Sequence, residues 1–261
     1  MSHSPRQSQI LEMLQNNGEC TIDTLAAKFR TSGMTVRRDL QALASHGRII
    51  RTHGGATIAP GVSFEFAFLK RSKLNEPQKH AIGLVATSLI KDGQSVMLDS
   101  GTTTLAIAQQ LRQRRGVRVI TTSLPIASML QYNESVEIHL LGGQLRPGSP
   151  DLCGAITESN LGLICADIAF VGAEAVDAGG AVFSDSAELS RVLLKMLENA
   201  KKAYIVADSS KLGKSALWRF GQLKNLAGLI TDSKADPAFI AGLAKAGINV
   251  IRAPRTGRVR T

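Results

Sequence analysis

The sequence predicts an α/β chain in two parts: a small N-terminal domain of helices and a hairpin, then a larger domain whose sheet is mostly parallel. Three observations carry this. Three short helical patterns crowd together before Thr57 and close on a Gly-Gly turn. Beyond residue 76, apolar strand-like runs alternate with amphipathic stretches. The composition is 44% hydrophobic yet only 4% aromatic, and a core of Val, Ile, Leu and Ala suits parallel strands covered by helices on both faces. At 261 residues the length fits a small domain joined to a medium one. The expected boundaries are a first domain over 1–57, a linker over 58–75, a second domain over 76–252 and a basic tail over 253–261.

The first element begins at Arg6, where Ile10, Leu11, Met13 and Leu14 recur at helical spacing and Gly18 stops the pattern. Thr21 is placed to cap a second, shorter helix carrying Ile22, Leu25, Ala26 and Phe29. After the polar turn Thr31-Ser32-Gly33, Ser32 can cap a third helix with Val36, Leu40 and Leu43 on one face and Thr35, Arg37, Arg38 and Gln41 off it. The run from Arg48 to Ala56 alternates polar and apolar residues and turns at Gly54-Gly55, as a β-hairpin does.

Two short helices joined by a tight turn, the second opening on small polar side chains and bearing paired arginines, match helix-turn-helix geometry, and the hairpin makes it the winged variant. Such a helix fits the major groove, where arginines reach guanine edges or phosphates. Arg37 and Arg38 on their own would be an ordinary solvated face; the three-helix setting is what makes them DNA-binding candidates. Double-stranded DNA is the expected partner, with Thr21, Ser32, Gly33, Met34, Thr35, Arg37, Arg38, Arg51 and His53 as the contacting residues. The formal charge of +10 agrees, although the first 57 residues hold only seven Lys/Arg against four acids. Arg252, Arg255, Arg258 and Arg260 supply a basic tail, read as a solvated end with an accessory DNA contact as the alternative.

Pro60 and Gly61 mark the linker, and Phe64, Phe66, Phe68 and Leu69 follow as either a docking patch or a strand of the core. The second domain then reads helix 81–90, strand 95–98, helix 103–111, strand 117–121, helix 125–130, strand 136–141, strand 168–171, helix 187–197, strand 203–207, strand 226–230, helix 237–246 and strand 248–251. In such sheets ligands sit beyond the carboxyl ends of the strands. The loop Asp99-Ser100-Gly101-Thr102-Thr103-Thr104 runs from a strand into a helix, where successive amides and hydroxyls favour an anion. Capping by Ser100 or Thr102 alone would explain one hydroxyl, whereas four cluster here. It lacks the Walker A spacing. Thr122 and Ser123, Gly143, the segment 172–177 with Glu174, and Lys211 lie at other strand ends that could face the same crevice.

Arg6, Ile10, Leu14, Ser32 and the run Thr35-Val36-Arg37-Arg38-Asp39-Leu40, with the wing Arg51-Thr-His-Gly-Gly-Ala, resemble the DeoR family signature. Asp99-Ser-Gly-Thr-Thr, Leu141-Gly-Gly and Asp208-Ser-Ser-Lys211 extend the resemblance over nearly the whole chain. It implies a regulator of sugar metabolism, usually a repressor, whose effector domain is similar to the ribose 5-phosphate isomerase and glucosamine 6-phosphate deaminase fold. It also implies that Ser100 to Thr104 hold the phosphate of a sugar-phosphate effector, that Asp99 and Lys211 bind its polar groups, and that Gly33-Met34 tune operator preference. The family usually has Asn where Thr122 stands and an Asp-Gly pair where Glu174-Ala175 stands, so the effector itself stays unassigned.

A homo-oligomer, dimer or tetramer, follows from the need of one winged helix for a second copy on a palindromic site. The rival reading, an active isomerase or deaminase, needs a positioned acid and base. Asp99, Glu174, Asp177 and Asp185 are available, and His3, His46, His53, His80 and His139 are scattered, His139 in a strand where packing is expected. No catalytic residue is expected, nor any cofactor. A third reading, a DNA architectural protein, would show no ligand response. Cys20, Cys153 and Cys165 lack metal-ligand spacing and read as small buried hydrophobes, so no metal site is expected. With no apolar run near the roughly 18 residues of a membrane span and no leader-like start, no membrane contact and a cytoplasmic location are expected.

Overall fold

The computed structural model describes residues 4–59, 68–112, 114–146 and 149–255. It divides into two compact units, one built on the chain up to Lys70 and the other on the chain from Arg71.

In the first unit, α1 (Pro5–Asn17) starts at Ser4, whose side chain and that of Gln7 cap each other's backbone reciprocally. It ends at Gly18. Strand β1 (Glu19–Thr21) leads into α2 (Ile22–Phe29), capped by Thr21, and α3 (Gly33–Ser45), capped by Ser32. The hairpin β2 (Ile49–Thr52) and β3 (Gly55–Ile58) completes a three-stranded sheet in the order β1-β3-β2. The wing is therefore three-stranded, since β1, unforeseen, pairs with β3. Ile10, Leu11, Leu14, Leu25, Val36, Leu40 and Leu43 form its core, the helical stripes anticipated from spacing.

The stretch expected to be a linker over 58–75 starts with the last residue of β3 and includes a helical turn over 68–73. Phe68 is buried within it; Phe64 and Phe66, like His3, lie outside the described residues, as do Arg258 and Arg260 of the tail.

The second unit contains α4 (Glu76–Ser88), β4 (Ser95–Leu98), α5 (Thr102–Leu111), β5 (Val117–Thr121), α6 (Leu124–Leu130), β6 (Val136–Leu140), β7 (Gln144–Leu145), β8 (Leu152–Cys153), α7 (Ala155–Gly162), β9 (Ile168–Gly172), β10 (Ala175–Val176), β11 (Ala181–Ser184), α8 (Ala187–Glu198), β12 (Ala203–Val206), β13 (Trp218–Gln222), β14 (Gly228–Thr231), α9 (Pro237–Lys245) and β15 (Val250–Arg252). Seven strands form one sheet in the order β15-β14-β12-β9-β4-β5-β6, and each neighbouring pair is parallel. Alternate residues enter opposite layers, as a strand's period of two requires. Val96, Leu98, Ile168 and Phe170 pack with Ile82, Ile107 and Ile126, while Met97, Ala169 and Val171 pack with Val192, Leu193 and Met196. Both faces are thus covered by helices, which is why these strands read as continuous apolar runs.

Some expectations need correction. A small antiparallel sheet, β10-β11-β13, and the hairpin β7-β8 flank the main sheet, and α7 fills a stretch left without an element. His139 does not pack inside: β6 is an edge strand, and the imidazole is 50% exposed beside Glu137. Cys20 and Cys153 are buried, but Cys165 is exposed. Arg252 belongs to β15 and donates to Ser233 C=O (2.8 Å). Among the described residues no helix is long and apolar enough to cross a membrane, and no cluster of His, Cys, Asp or Glu could hold a metal ion.

Candidate functional site

On α3 the sequence separates two stripes. Val36, Asp39, Leu40 and Leu43 are buried, while Met34, Arg37, Arg38 and Gln41, spaced i, i+3, i+4 and i+7, are exposed and so share one face. The buried Asp39 is paired with Arg6 of α1 (2.6 Å) and accepts from Gln7 (3.4 Å); it anchors α3 while Arg37 and Arg38 are exposed. At the first turn Ser32 Oγ accepts from Thr35 N–H (3.2 Å) and shares a hydrogen bond with its hydroxyl (3.0 Å). At Gly33 a Cβ would make only an ordinary contact with Ile22 (3.4 Å), so packing there accepts a side chain. Met34 is 60% exposed.

The wing is tied to the helices. Arg51 donates to Gln41 (2.9 Å), and Ile22 N–H donates to Gly54 C=O (2.9 Å), so the start of α2, where Thr21 caps, is joined to the hairpin turn. His53 is exposed at that turn. Two glycines make it possible for different reasons. Gly54 has φ 98°, a conformation favouring glycine, and a Cβ on Gly55 would stand 2.3 Å from Cys20 C=O. Ser32 to Arg38, Arg51 and His53 therefore lie on elements that are directly connected.

In the second unit, β12, β9, β4 and β5 are successive neighbours, so the loops after them lie side by side along one rim of the sheet. The loop after β4 is built around Asp99, which is buried. One carboxylate oxygen accepts from Gly101 N–H (3.0 Å) and the Thr104 hydroxyl; the other accepts from Gly172 N–H at the end of β9 (2.9 Å). Burial pushes Asp99 above the usual carboxylate range, and the bonds from Thr104, Gly101 and Gly172 oppose that rise. Both oxygens are spent inside the protein, and Thr104 is fully buried with its hydroxyl bound to Asp99 and Gly101 C=O. Asp99 and Thr104 thus shape the loop from within.

What remains open is the first turn of α5. Its cap position, Gly101, offers no side-chain hydrogen bond, so the leading amides of α5 carry no side-chain acceptor. Thr102 is half-buried beside the nearly buried Thr103. Ser100 donates to Asp151 (2.8 Å), a fully buried carboxylate also held by Arg146 (3.1 Å). Sequence reasoning missed both, since a lone Arg and Asp in a turn-rich stretch look like solvated loop residues.

The other expected residues divide. Lys211 and Glu174, from the loops after β12 and β9, form an ion pair (2.8 Å). Thr122 and Ser123 are buried at the end of β5, and Ser123 caps α6. Gly143 serves packing: a Cβ there would stand 1.9 Å from Thr157 Oγ1. Two further residues went unread. Asn75, with φ 54°, donates to Asp208 (3.2 Å) and Ser210 (3.4 Å) beside Lys211. Buried Lys79 donates to the carbonyls of Arg71 (2.6 Å) and Leu74, and burial lowers its pKa.

Comparison with known proteins bears on both units. Residues 6–60 match the family model of a DeoR-like helix-turn-helix domain and residues 74–233 that of a DeoR C terminal sensor domain. The chain is 35% identical to the lactose phosphotransferase system repressor of Lactococcus lactis subsp. lactis over 91% of its own length and 94% of the relative's. It is 33% identical to the HTH-type transcriptional repressor GlcR of Bacillus subtilis (strain 168), with 96% of each chain covered. Among solved structures, ribose 5-phosphate isomerase A from Methanocaldococcus jannaschii matches 53% of this chain and 55% of its own at a TM-score of 0.40 and 22% identity.

Proposed function

The chain belongs to the DeoR family of transcription regulators, and on that footing we propose that α3 reads an operator while the loop after β4 binds a phosphorylated sugar or polyol. Repression of a carbohydrate operon is the reading that the relatives' names favour. The observation that carries the effector assignment is the uncapped start of α5, with the hydroxyls of Thr102 and Thr103 beside it. Amides at a helix start stabilise an anion, and hydroxyls add hydrogen bonds to phosphate oxygens. Thr122, Ser123, Glu174 and Lys211 border the same rim and suit the polyol part of the ligand.

The stripe Met34, Arg37, Arg38 and Gln41 enters the major groove, with Arg51 and His53 on the adjacent backbone. Two copies acting on a palindromic site supply the specificity that one helix lacks. Binding without catalysis is the reading that the site's carboxylates support. Asp99 and Asp151 are buried and held by hydrogen bonds from the protein, and Glu174 is paired with Lys211, so all three are engaged within the chain.

Thermal unfolding of the full chain with a panel of sugar phosphates tests the sensor. A ligand at 100 times its dissociation constant stabilises the folded state by about 2.7 kcal/mol, which raises the melting temperature; no response to any phosphorylated sugar or polyol would remove the effector assignment. R37A/R38A should abolish operator retardation while leaving the melting temperature unchanged, and retained binding would remove α3 from the interface.

A further inference from the structure

β6 is the edge of the seven-stranded sheet, with β5 on one side and no strand of the described residues on the other. Leu141 N–H donates to Thr121 C=O (2.9 Å), so the backbone groups of odd-numbered residues face β5. By strand alternation the N–H and C=O of Ile138 and Leu140 point away from the sheet. An open edge is a template for another strand, and proteins commonly block it with lysine, proline, a bulge or a cover. β6 has no lysine or proline, and its register with β5 runs without a bulge.

The side chains are as suggestive as the backbone. Val136, Ile138 and Leu140 join Leu124 and Ala127 of α6 in lining an open groove of about 580 Å³, with Leu140 41% and Leu124 37% exposed. Glu137 and His139 alternate with that apolar set and therefore lie on the opposite face. Glu137 Oε1 and His139 Nε2 are 2.9 Å apart.

We propose that the β6 edge is the contact between two copies of this chain, the strands running antiparallel about a two-fold axis at Ile138. The segment Val-Glu-Ile-His-Leu is the complement of its own reverse. With the axis at Ile138, Val136 faces the partner's Leu140 and Glu137 faces the partner's His139, so carboxylate meets imidazole twice. An axis at Glu137 or His139 would instead oppose identical charged or polar groups, which is unfavourable. The contact is isologous and joins two sheets into one. Val136 N–H is already spent on Asn133 C=O (3.0 Å), so the N–H groups of Ile138 and Leu140 close the ladder. The self-complementary register is what selects a second copy over an unrelated strand.

Crosslinking and sedimentation of the full chain test this. Directly opposed residues of a hydrogen-bonded antiparallel pair have Cα atoms about 5.5 Å apart, within disulfide range. In a C165S background, I138C should therefore form an intermolecular disulfide when glutathione disulfide takes up the two electrons and two protons of the thiols. L140C should not, because the two copies of position 140 would be about 14 Å apart. H139E opposes carboxylates at both pairs and should weaken self-association by about ten-fold or more. Mixing H139E with E137K should restore it, since each introduced carboxylate then faces an introduced ammonium. A monomeric wild type at micromolar concentration overturns the proposal. So does a failure of I138C to crosslink, or an H139E chain that associates as the wild type does.

Discussion

A carboxylate removed from water must find its partners in the chain, and Asp99 finds three: Gly101, Thr104 and Gly172. These bonds join the ends of β4 and β9 and set the curve that leaves α5 uncapped. Burial nevertheless dominates its titration and raises its pKa. The folded state then holds this proton more tightly than the unfolded chain. Its contribution to stability is complete below the ordinary carboxylate pKa and is lost as pH rises through the raised value. D99N should flatten that slope. It also turns an amide N–H toward a backbone or hydroxyl donor, an unsatisfied contact that costs about 1–3 kcal/mol. T104V should move stability in the same direction, whereas T102A should weaken effector binding with little loss of stability. Urea unfolding at pH near 4 and near 7 separates these effects; a D99N midpoint equal to wild type at both would show that Asp99 does not organise the loop. Asp167, in the same unit, has the opposite sign, because Lys201 and Ser95 hold it well below the usual range and its stabilisation is lost as pH falls.

At the scale of elements, the helices and parallel strands were legible because each repeats one signal many times. Val36, Leu40 and Leu43 recur on α3, and Val96 to Leu98 make an unbroken apolar run. Strand β1 was not legible, since three residues hold no period and its pairing with β3 is non-local. Nor was the edge position of β6, because strand order depends on topology. The loop proposed for the effector stands out by its hydroxyls and its place between strand and helix, but its organisation could not be read. Ser100 meets Asp151 across 51 positions and Asp99 meets Gly172 across 73, and local patterning carries no information at that range. The wing tests how two adjacent glycines differ. G54A meets no neighbouring atom but takes an unfavourable φ, at about 1–3 kcal/mol. G55A drives its methyl into the Cys20 carbonyl, so β1 and β3 must part. Hydrogen exchange should show fast amides over β1 and β3 in G55A and near-native protection in G54A; equal protection in the two variants would remove the close-approach explanation.

For the molecule as a whole, the requirement is that a ligand at the second unit alters DNA binding by the first, which demands unequal affinity for two states of the protein. The chain enters the second unit through residues 71–75, and this entry is held by groups next to the rim proposed for the effector. Lys79 binds the carbonyls of Arg71 and Leu74, and Asn75 binds Asp208 and Ser210, three and one residues before Lys211. Lys211 in turn is paired with Glu174. A ligand that draws Lys211 away from Glu174 therefore acts on a loop hydrogen-bonded to the entering segment. Asn75 allows a clean test, because its positive φ suits glycine. N75G keeps the backbone conformation and removes only the amide that reaches Asp208. It should retain the ligand-induced rise in melting temperature and the affinity for operator without ligand, while the change in operator affinity on adding ligand shrinks by several-fold. Loss of ligand binding in N75G would place Asn75 in the site itself. An unaltered response to ligand would move the coupling to another part of the chain.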